Sequence, residues 1–225
     1  MIPTQFVYSA LSVGILGLGF PVPGYAQDVL GPDEVAILPR LIDSICVDIV
    51  VELDGCEQIV LLASDTVPDR ADLLILSDWR TEPASTPLLI ARGAAFNGAM
   101  WDMAPSLDLT DDRSLVLGSQ QTGTGRYPWF QNLTITHDAG RFLLTGFHYT
   151  TYDRTTGRGM RCNVNLSTGD FEVEGTLMNA TTETTETAFT RSGRIEPAEV
   201  DAANIGTNAP FPAPCEEGLA ALETF

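Results

Sequence analysis

"LTITHDAGRFLLTGFHYTTYDRTTGRGMRCNVNLSTGDFEVEG" runs from Leu133 to Gly175. Its second half reads most plainly. Met160, Cys162, Val164 and Leu166 alternate with Arg161, Asn163 and Asn165. A period of two places the first set on one face of a β-strand and the second set on the other. "STGD" (Ser167–Asp170) then turns the chain, and Phe171 and Val173 resume the apolar face against Glu172 and Glu174. Upstream, Leu133, Ile135 and His137 alternate with Thr134 and Thr136, and Asp138-Ala139-Gly140 forms a short hairpin turn. The strand between the two, Arg141 to Asp153, reads as apolar on both faces, with Leu143, Phe147 and Tyr149 on one and Phe142 and Leu144 on the other. Such a strand is expected at the centre of a sheet, covered on both sides. The segment is a β-meander.

The same pattern extends toward the N-terminus. "CVDIVVEL" (46–53) and "EQIVLLAS" (57–64) flank the turn signal Asp54-Gly55. "ADLLILS" (71–77), "TPLLIAR" (86–92) and "SLVLGSQ" (114–120) are further strands, separated by the loops "GAAFNGAMWDMAPS" (93–106) and "TGTGRYPW" (122–129). Gaps are short, and the long amphipathic helices of a parallel sheet are missing. The expected fold is therefore mainly β, an antiparallel meander closed as a sandwich or barrel. Short helices are expected only near residues 33–44, a stretch interrupted by Pro39, and near 216–223. Residues 176–214 are first Thr/Glu-rich and then Pro-rich, which predicts a loop or edge strand followed by a tail over the surface.

Charge narrows the partners. The formal net charge is −18, from 30 acidic and 12 basic residues, and every basic residue is arginine. Such a surface repels phosphate backbones and anionic lipid, which argues against nucleic acid and membrane-surface partners. The first charged side chain is Asp28; before it lie an apolar run, Phe6–Phe20, two prolines, and Gly24-Tyr25-Ala26. This reads as a signal peptide, 1–26, cut after Ala26. The run is too short to span a bilayer, and no later segment is long and apolar enough to do so. The mature chain, 27–225, is expected to be one monomeric domain in the periplasm or outside the cell. Export permits disulfides, and the four cysteines allow three pairings. Cys46–Cys56, closing a local loop, with Cys162–Cys215, tying the tail to a strand, is the expected set. No C-x-x-C spacing points to zinc.

Candidate sites are few. His148 shares a face with Gly146, Thr150 and Tyr152 by parity, whereas Asp153 points away. In a covered strand its imidazole is expected to be structural, or at most a binding group, hydrogen-bonded by Thr150, Tyr152 or a neighbouring strand. His137 sits at a strand end. "GTGRYPWF" supplies Arg126, Tyr127 and Trp129, and the preceding loop supplies Trp101; aromatic and Arg residues on loops are frequent binding anchors, or they cap the ends of the fold. "DTVPDRAD" spaces Asp65, Asp69 and Asp72 like a calcium loop, but Val67 takes a ligand position and no glycine is present, so no metal or other cofactor is expected. No G-x-S-x-G, H-E-x-x-H or reactive-cysteine signature occurs.

"DRADLLILSDWR", "APSLDLTDDRSLVLGSQQTGTGRYPW", "LTITHDAGRFLLTGFHYTTYDRTTG" and "CNVNLSTGDFE" resemble a loose group of uncharacterised exported bacterial β-domain proteins over roughly Gly55 to Glu174. The resemblance implies a secreted β domain and carries no activity with it. The sequence therefore predicts an exported, non-catalytic binding or envelope-associated module whose ligand is a small molecule, glycan or protein. A hydrolase using His148 with loop carboxylates is the rival reading, and a purely structural secreted domain is the third.

Overall fold

The computed structural model describes residues 31–78, 80, 87–100, 103–179, 184–208, 211–222 and 224. The expected signal segment, 1–26, and Trp101 lie outside the described residues. A short helix α1 (Pro32–Ile37) and a 3-10 turn (Leu38–Arg40) lead into β1 (Leu41–Val47). With β2 (Glu57–Ala63), β3 (Arg70–Leu76) and β4 (Pro87–Phe96), β1 forms a four-stranded antiparallel sheet in chain order. The larger sheet is an antiparallel meander of β5 (Ser106–Leu109), β6 (Leu115–Gln121), β7 (Trp129–Asp138), β8 (Arg141–Tyr152), β9 (Arg158–Asn165), β10 (Asp170–Asn179) and β11 (Thr184–Arg194). A two-residue strand β12 (Val200–Asp201) adds to β8. The inner faces share one apolar core, with Ile59, Leu61, Leu73, Ile75 and Ala91 from the smaller sheet and Leu115, Leu117, Leu133, Ile135, Leu144 and Phe147 from the larger. The fold is mainly β and sandwich-like, as the alternation predicts.

Three local expectations are corrected. First, β8 is not apolar on both faces. β7 pairs Leu133 with Phe147 and Thr134 with Gly146, but Ile135 with Leu144, so Thr145 is an extra residue in β8. A bulge of one residue exchanges the faces of everything beyond it. Phe142 and Leu144 on one side of Thr145 and Phe147 and Thr151 on the other are consequently all buried. The opposite face, carrying Gly146, His148, Thr150 and Tyr152, is open; it is not a covered layer.

Second, the first strand lies earlier than "CVDIVVEL". Residues 48–55 turn because the Glu57 carboxylate, wholly buried, accepts the N–H groups of Ile49 (2.9 Å) and Val50 (3.1 Å). The Cys46–Cys56 bridge, Cα–Cα 5.5 Å, closes the base of the same loop. Helical structure near 33–44 accordingly stops at Arg40. The strand β4 likewise runs on through "GAAF", where Asp72 accepts the Gly93 N–H at 2.8 Å and Gly93 adopts φ +59°, and β5 forms where a loop was expected to end.

Third, the tail does not run over the surface. β11 is the exposed edge strand foreseen for the Thr/Glu-rich stretch. Beyond it, β12 pairs Val200 with Leu144 and Asp201 with Leu143, along the half of β8 that β9 does not reach. A 3-10 turn (Ala202–Asn204) and the helices α2 (Ile205–Asn208) and α3 (Ala213–Leu222) follow. Ala202, Ile205, Cys215 and Leu222 are buried, and Phe211 meets Phe147 and Tyr149 edge-on with ring centroids 5.4 and 5.0 Å away. Gly206 passes so close to β4 that a Cβ would lie 1.8 Å from the Arg92 carbonyl oxygen. The Cys162–Cys215 bridge, Cα–Cα 5.5 Å and fully buried, pins α3 to β9. Tail residues that look sparse in sequence thus finish the core.

Candidate functional site

The open face of the larger sheet is assembled by register. Ser106 pairs with Gly118, Gly118 with Asn132, Asn132 with His148, and His148 with Asn163. This row crosses β5 to β9, and Asp108, Val116, Thr134, Gly146 and Asn165 make the row beside it. Each member points outward because its strand neighbours, among them Leu117, Leu133, Phe147 and Val164, are buried in the core. From Val116 to Gln120, Phe130 to Thr136, Gly146 to Tyr152 and Gly159 to Asn165, Arg161 is the one charged side chain at an outward position. On a chain of net charge −18 that is a marked local departure.

The face is hollowed rather than flat. A groove of about 540 Å³ is lined by Thr110, Asp112, Ser114, Thr134, Thr136, Thr145, His148, Asn163 and Asn165. A second hollow of about 260 Å³, lined by Ser106, Gly118, Gln120, Phe130 and Asn132, lies on the same face, and Asn132 in its lining pairs with His148 in the lining of the first. Gly118 and Gly146 keep the floor low: a Cβ would sit 2.7 Å from Ser106 Oγ in the first case and 2.8 Å from Thr134 Oγ1 in the second.

Hydrogen bonds hold these side chains in place. Ser114 Oγ lies 3.0 Å from Thr136 Oγ1, which lies 2.9 Å from Oγ1 of the bulged Thr145. The Thr110 hydroxyl donates to Asp112, and this bond holds the Asp112 carboxyl below the ordinary range against the opposing effect of burial. His148 Nδ1 is 2.5 Å from Asn163 Oδ1 and Nε2 is 3.2 Å from Thr150 Oγ1. Asn163 accepts through its oxygen, so Nδ1 carries the proton and the amide NH2 of Asn163 is left as a donor toward the groove. The order hydroxyl, imidazole, amide resembles a nucleophile, base and orienting group. Neither ring nitrogen contacts a carboxylate, however, and Thr150 does not line the groove.

No family model, curated protein or solved structure matches the chain.

The other residues singled out in the sequence lie elsewhere. Arg126 grips the buried Asp153 through Nε and Nη2, at 2.8 and 2.5 Å, and its guanidinium is 5.2 Å from the Tyr127 ring centroid. Both line a separate cavity of about 250 Å³ with Arg158 and Leu222. Trp129 faces inward, with ring centroids 5.6 Å from Phe96 and 6.2 Å from Tyr149, and so caps the core. Among the described residues, the groove that holds His148 and the cavity that holds Arg126 have different linings, and Trp129 lines neither. Two of the three aspartates of "DTVPDRAD" are engaged separately: Asp65 by Arg40 at 2.9 Å, and buried Asp72 by Arg92 at 2.6 Å and the Gly93 N–H. Sequence reasoning missed Asn132, Asn163 and the hydroxyl cluster. The available signal was compositional: amides, hydroxyls and glycine, not charges, at the outward positions of the meander.

Asp153 offers a test of the loop that carries Arg126. The Arg126 guanidinium, the Thr155 N–H and the Thr156 hydroxyl hold its carboxyl well below the usual range despite its burial. A carboxyl depressed in the folded state stabilises fully above its unfolded value, about 3.9, and loses that contribution as pH falls toward the folded value. Asp153→Asn is expected to melt below wild type at neutral pH, with the gap narrowing below about pH 4. Thermal melts of both proteins from neutral to strongly acidic pH check this; a gap that stays constant would mean the ion pair contributes nothing.

Proposed function

We propose that the chain is an exported, non-catalytic binding module and that its ligand lies on the outer face of the larger sheet. The observation that carries this reading is the pair of hollows on one outer face, over β5 to β9, walled by hydrogen-bonding side chains, several of them held in place by one another. Preorganised polar groups around a hollow are what a ligand site requires. The neutral partners of both His148 nitrogens favour binding over the hydrolase reading. The negative charge and the strand of disulfide-linked tail suit life outside the cytoplasm.

Backbone and side-chain amide NMR of isotopically labelled protein, titrated with separate pools of sugars, peptides and small aromatic compounds, tests the site. Perturbations are expected at Asn132, His148 and Asn163. His148→Gln keeps one hydrogen bond of the imidazole, so binding is expected to remain within about tenfold, or ~1.4 kcal/mol. Perturbations confined to the Arg126–Tyr127 cavity, or substrate turnover that His148→Gln abolishes in a folded protein, would overturn the proposal.

A further inference from the structure

We infer, on the footing of that reading, that the ligand of this face is an uncharged polysaccharide chain lying across the strands from β5 to β9. Charge comes first. The protein carries a net charge of −18, yet from Val116 to Gln120, Phe130 to Thr136, Gly146 to Tyr152 and Gly159 to Asn165 the outward positions hold one charged side chain, Arg161, whose guanidinium faces Glu174 at 3.5 Å; Asp138 and Arg141 lie beyond, at the β7–β8 turn. An anionic chain would meet the field of the whole molecule with no arginine lining either hollow to receive it, and a cationic one would find two carboxylates, Asp108 on β5 and Asp112 in the groove lining, but none along the row from Gly118 to Asn163.

Hydrogen-bond type comes second. Ser106, Asn132, Thr134 and Asn163 each offer donor and acceptor capacity in a neutral group, while both ring nitrogens of His148 are engaged by Asn163 and Thr150. Sugar hydroxyls have the same dual character. An aromatic surface is also present: Phe130 points outward at 39 % exposure beside the Asn132 hollow, and Tyr152 lies on the same face at 41 %. The apolar face of a pyranose is a natural cover for such rings.

Shape comes third. The two hollows lie on neighbouring strands of one face, and the row from Ser106 to Asn163 crosses four strand spacings, about 19 Å at ~4.8 Å each. One strand spacing is close to the length of one pyranose unit, so a linear glycan laid across the strands meets a fresh outward side chain with every sugar. An extended peptide gains most of its affinity by pairing its backbone with a sheet edge. This face offers side chains alone.

Native gels cast with soluble polysaccharides give the first readout, and calorimetry with oligosaccharides of increasing length the second. The gels contain neutral glucans, galactomannan, arabinoxylan, anionic polyuronate or cationic chitosan oligomers. Retardation by at least one neutral glycan and not by polyuronate is expected, and any retardation by chitosan, which a net charge of −18 favours at any acidic surface, should persist in Asn132→Ala/Asn163→Ala. The matching oligosaccharide should gain affinity up to about four or five sugars, the span of the row, and then level off. Asn132→Ala/Asn163→Ala and Phe130→Ala should each weaken binding about tenfold or more. Tyr127→Ala, on the separate loop, should leave it unchanged. All altered side chains are outward, and circular dichroism verifies the fold. If none of the neutral glycans binds while another ligand class perturbs Asn132 and Asn163 in the NMR titration, the inference falls and the site stands. If no class perturbs them, both fall. Neutral-glycan binding indifferent to Asn132, Asn163 and Phe130 also overturns the inference.

Discussion

Val164→Asp should lower the melting temperature by about 10 °C or more, or prevent folding, while Asn163→Asp, one residue away, should melt within about 2 °C of wild type. Val164 is 3 % exposed and belongs to the core formed by the inner faces of both sheets. A carboxylate there has no cation to meet and loses its hydration, a penalty of several kcal/mol, roughly 3–5 by comparison with other unpaired buried charges. At position 163 the side chain lies half-buried on the outer face, where His148 Nδ1–H donates to it at 2.5 Å. An aspartate keeps that acceptor. Thermal melts of the two variants decide the matter: equal losses would show that the faces of β9 are misassigned.

The second large effect concerns the buried disulfide. Replacing Cys162 and Cys215 together by alanine should cost about 4 kcal/mol, within the 2–5 typical of native bridges in exported domains. Replacing Cys46 and Cys56 should cost less, about 3 kcal/mol. The chain-entropy argument gives the order, since the first bridge closes a separation of 53 residues and the second only 10. The structure strengthens it. Cys162–Cys215 anchors α3 over β9 and β10, where Gly218 approaches Met160 and Val173 closely, and with it the buried Leu222. Cys46 is exposed and its bridge closes only a surface loop. Denaturant unfolding measures both losses, and limited proteolysis should cut the tail of the first variant before its sheets. A larger loss for the Cys46–Cys56 variant would contradict this ranking.

These two effects rest on features of unequal legibility. The inward position of Val164 is visible in "MRCNVNL", because alternation along one strand is a local property and the turn at Ser167–Asp170 announces where it ends. The long disulfide could be anticipated from an even cysteine count in a chain expected to be exported, yet its role could not. Nothing in "NAPFPAPCEEGL" declares that Phe211, Cys215 and Leu222 complete a core whose other members lie far back in the sequence. The site was less legible still. His148 was recognisable as an unusual residue on a strand, but the apolar residues around it pointed to burial on both faces until the bulge at Thr145 was seen.

By itself the sequence determined the strand-rich meander, its turns, the shortness of the helices among the described residues and the acidic composition free of lysine, because each depends on side-chain character within a few neighbouring positions. The tertiary structure alone decided which face of β8 is open, where the tail goes, and that Ser106, Gly118, Asn132, His148 and Asn163 stand in one row. A bulge is a mismatch between two strands and has no signature in either one. A cross-strand row is drawn from residues far apart in the chain that meet only through register, so its chemistry exists only once the strands have paired.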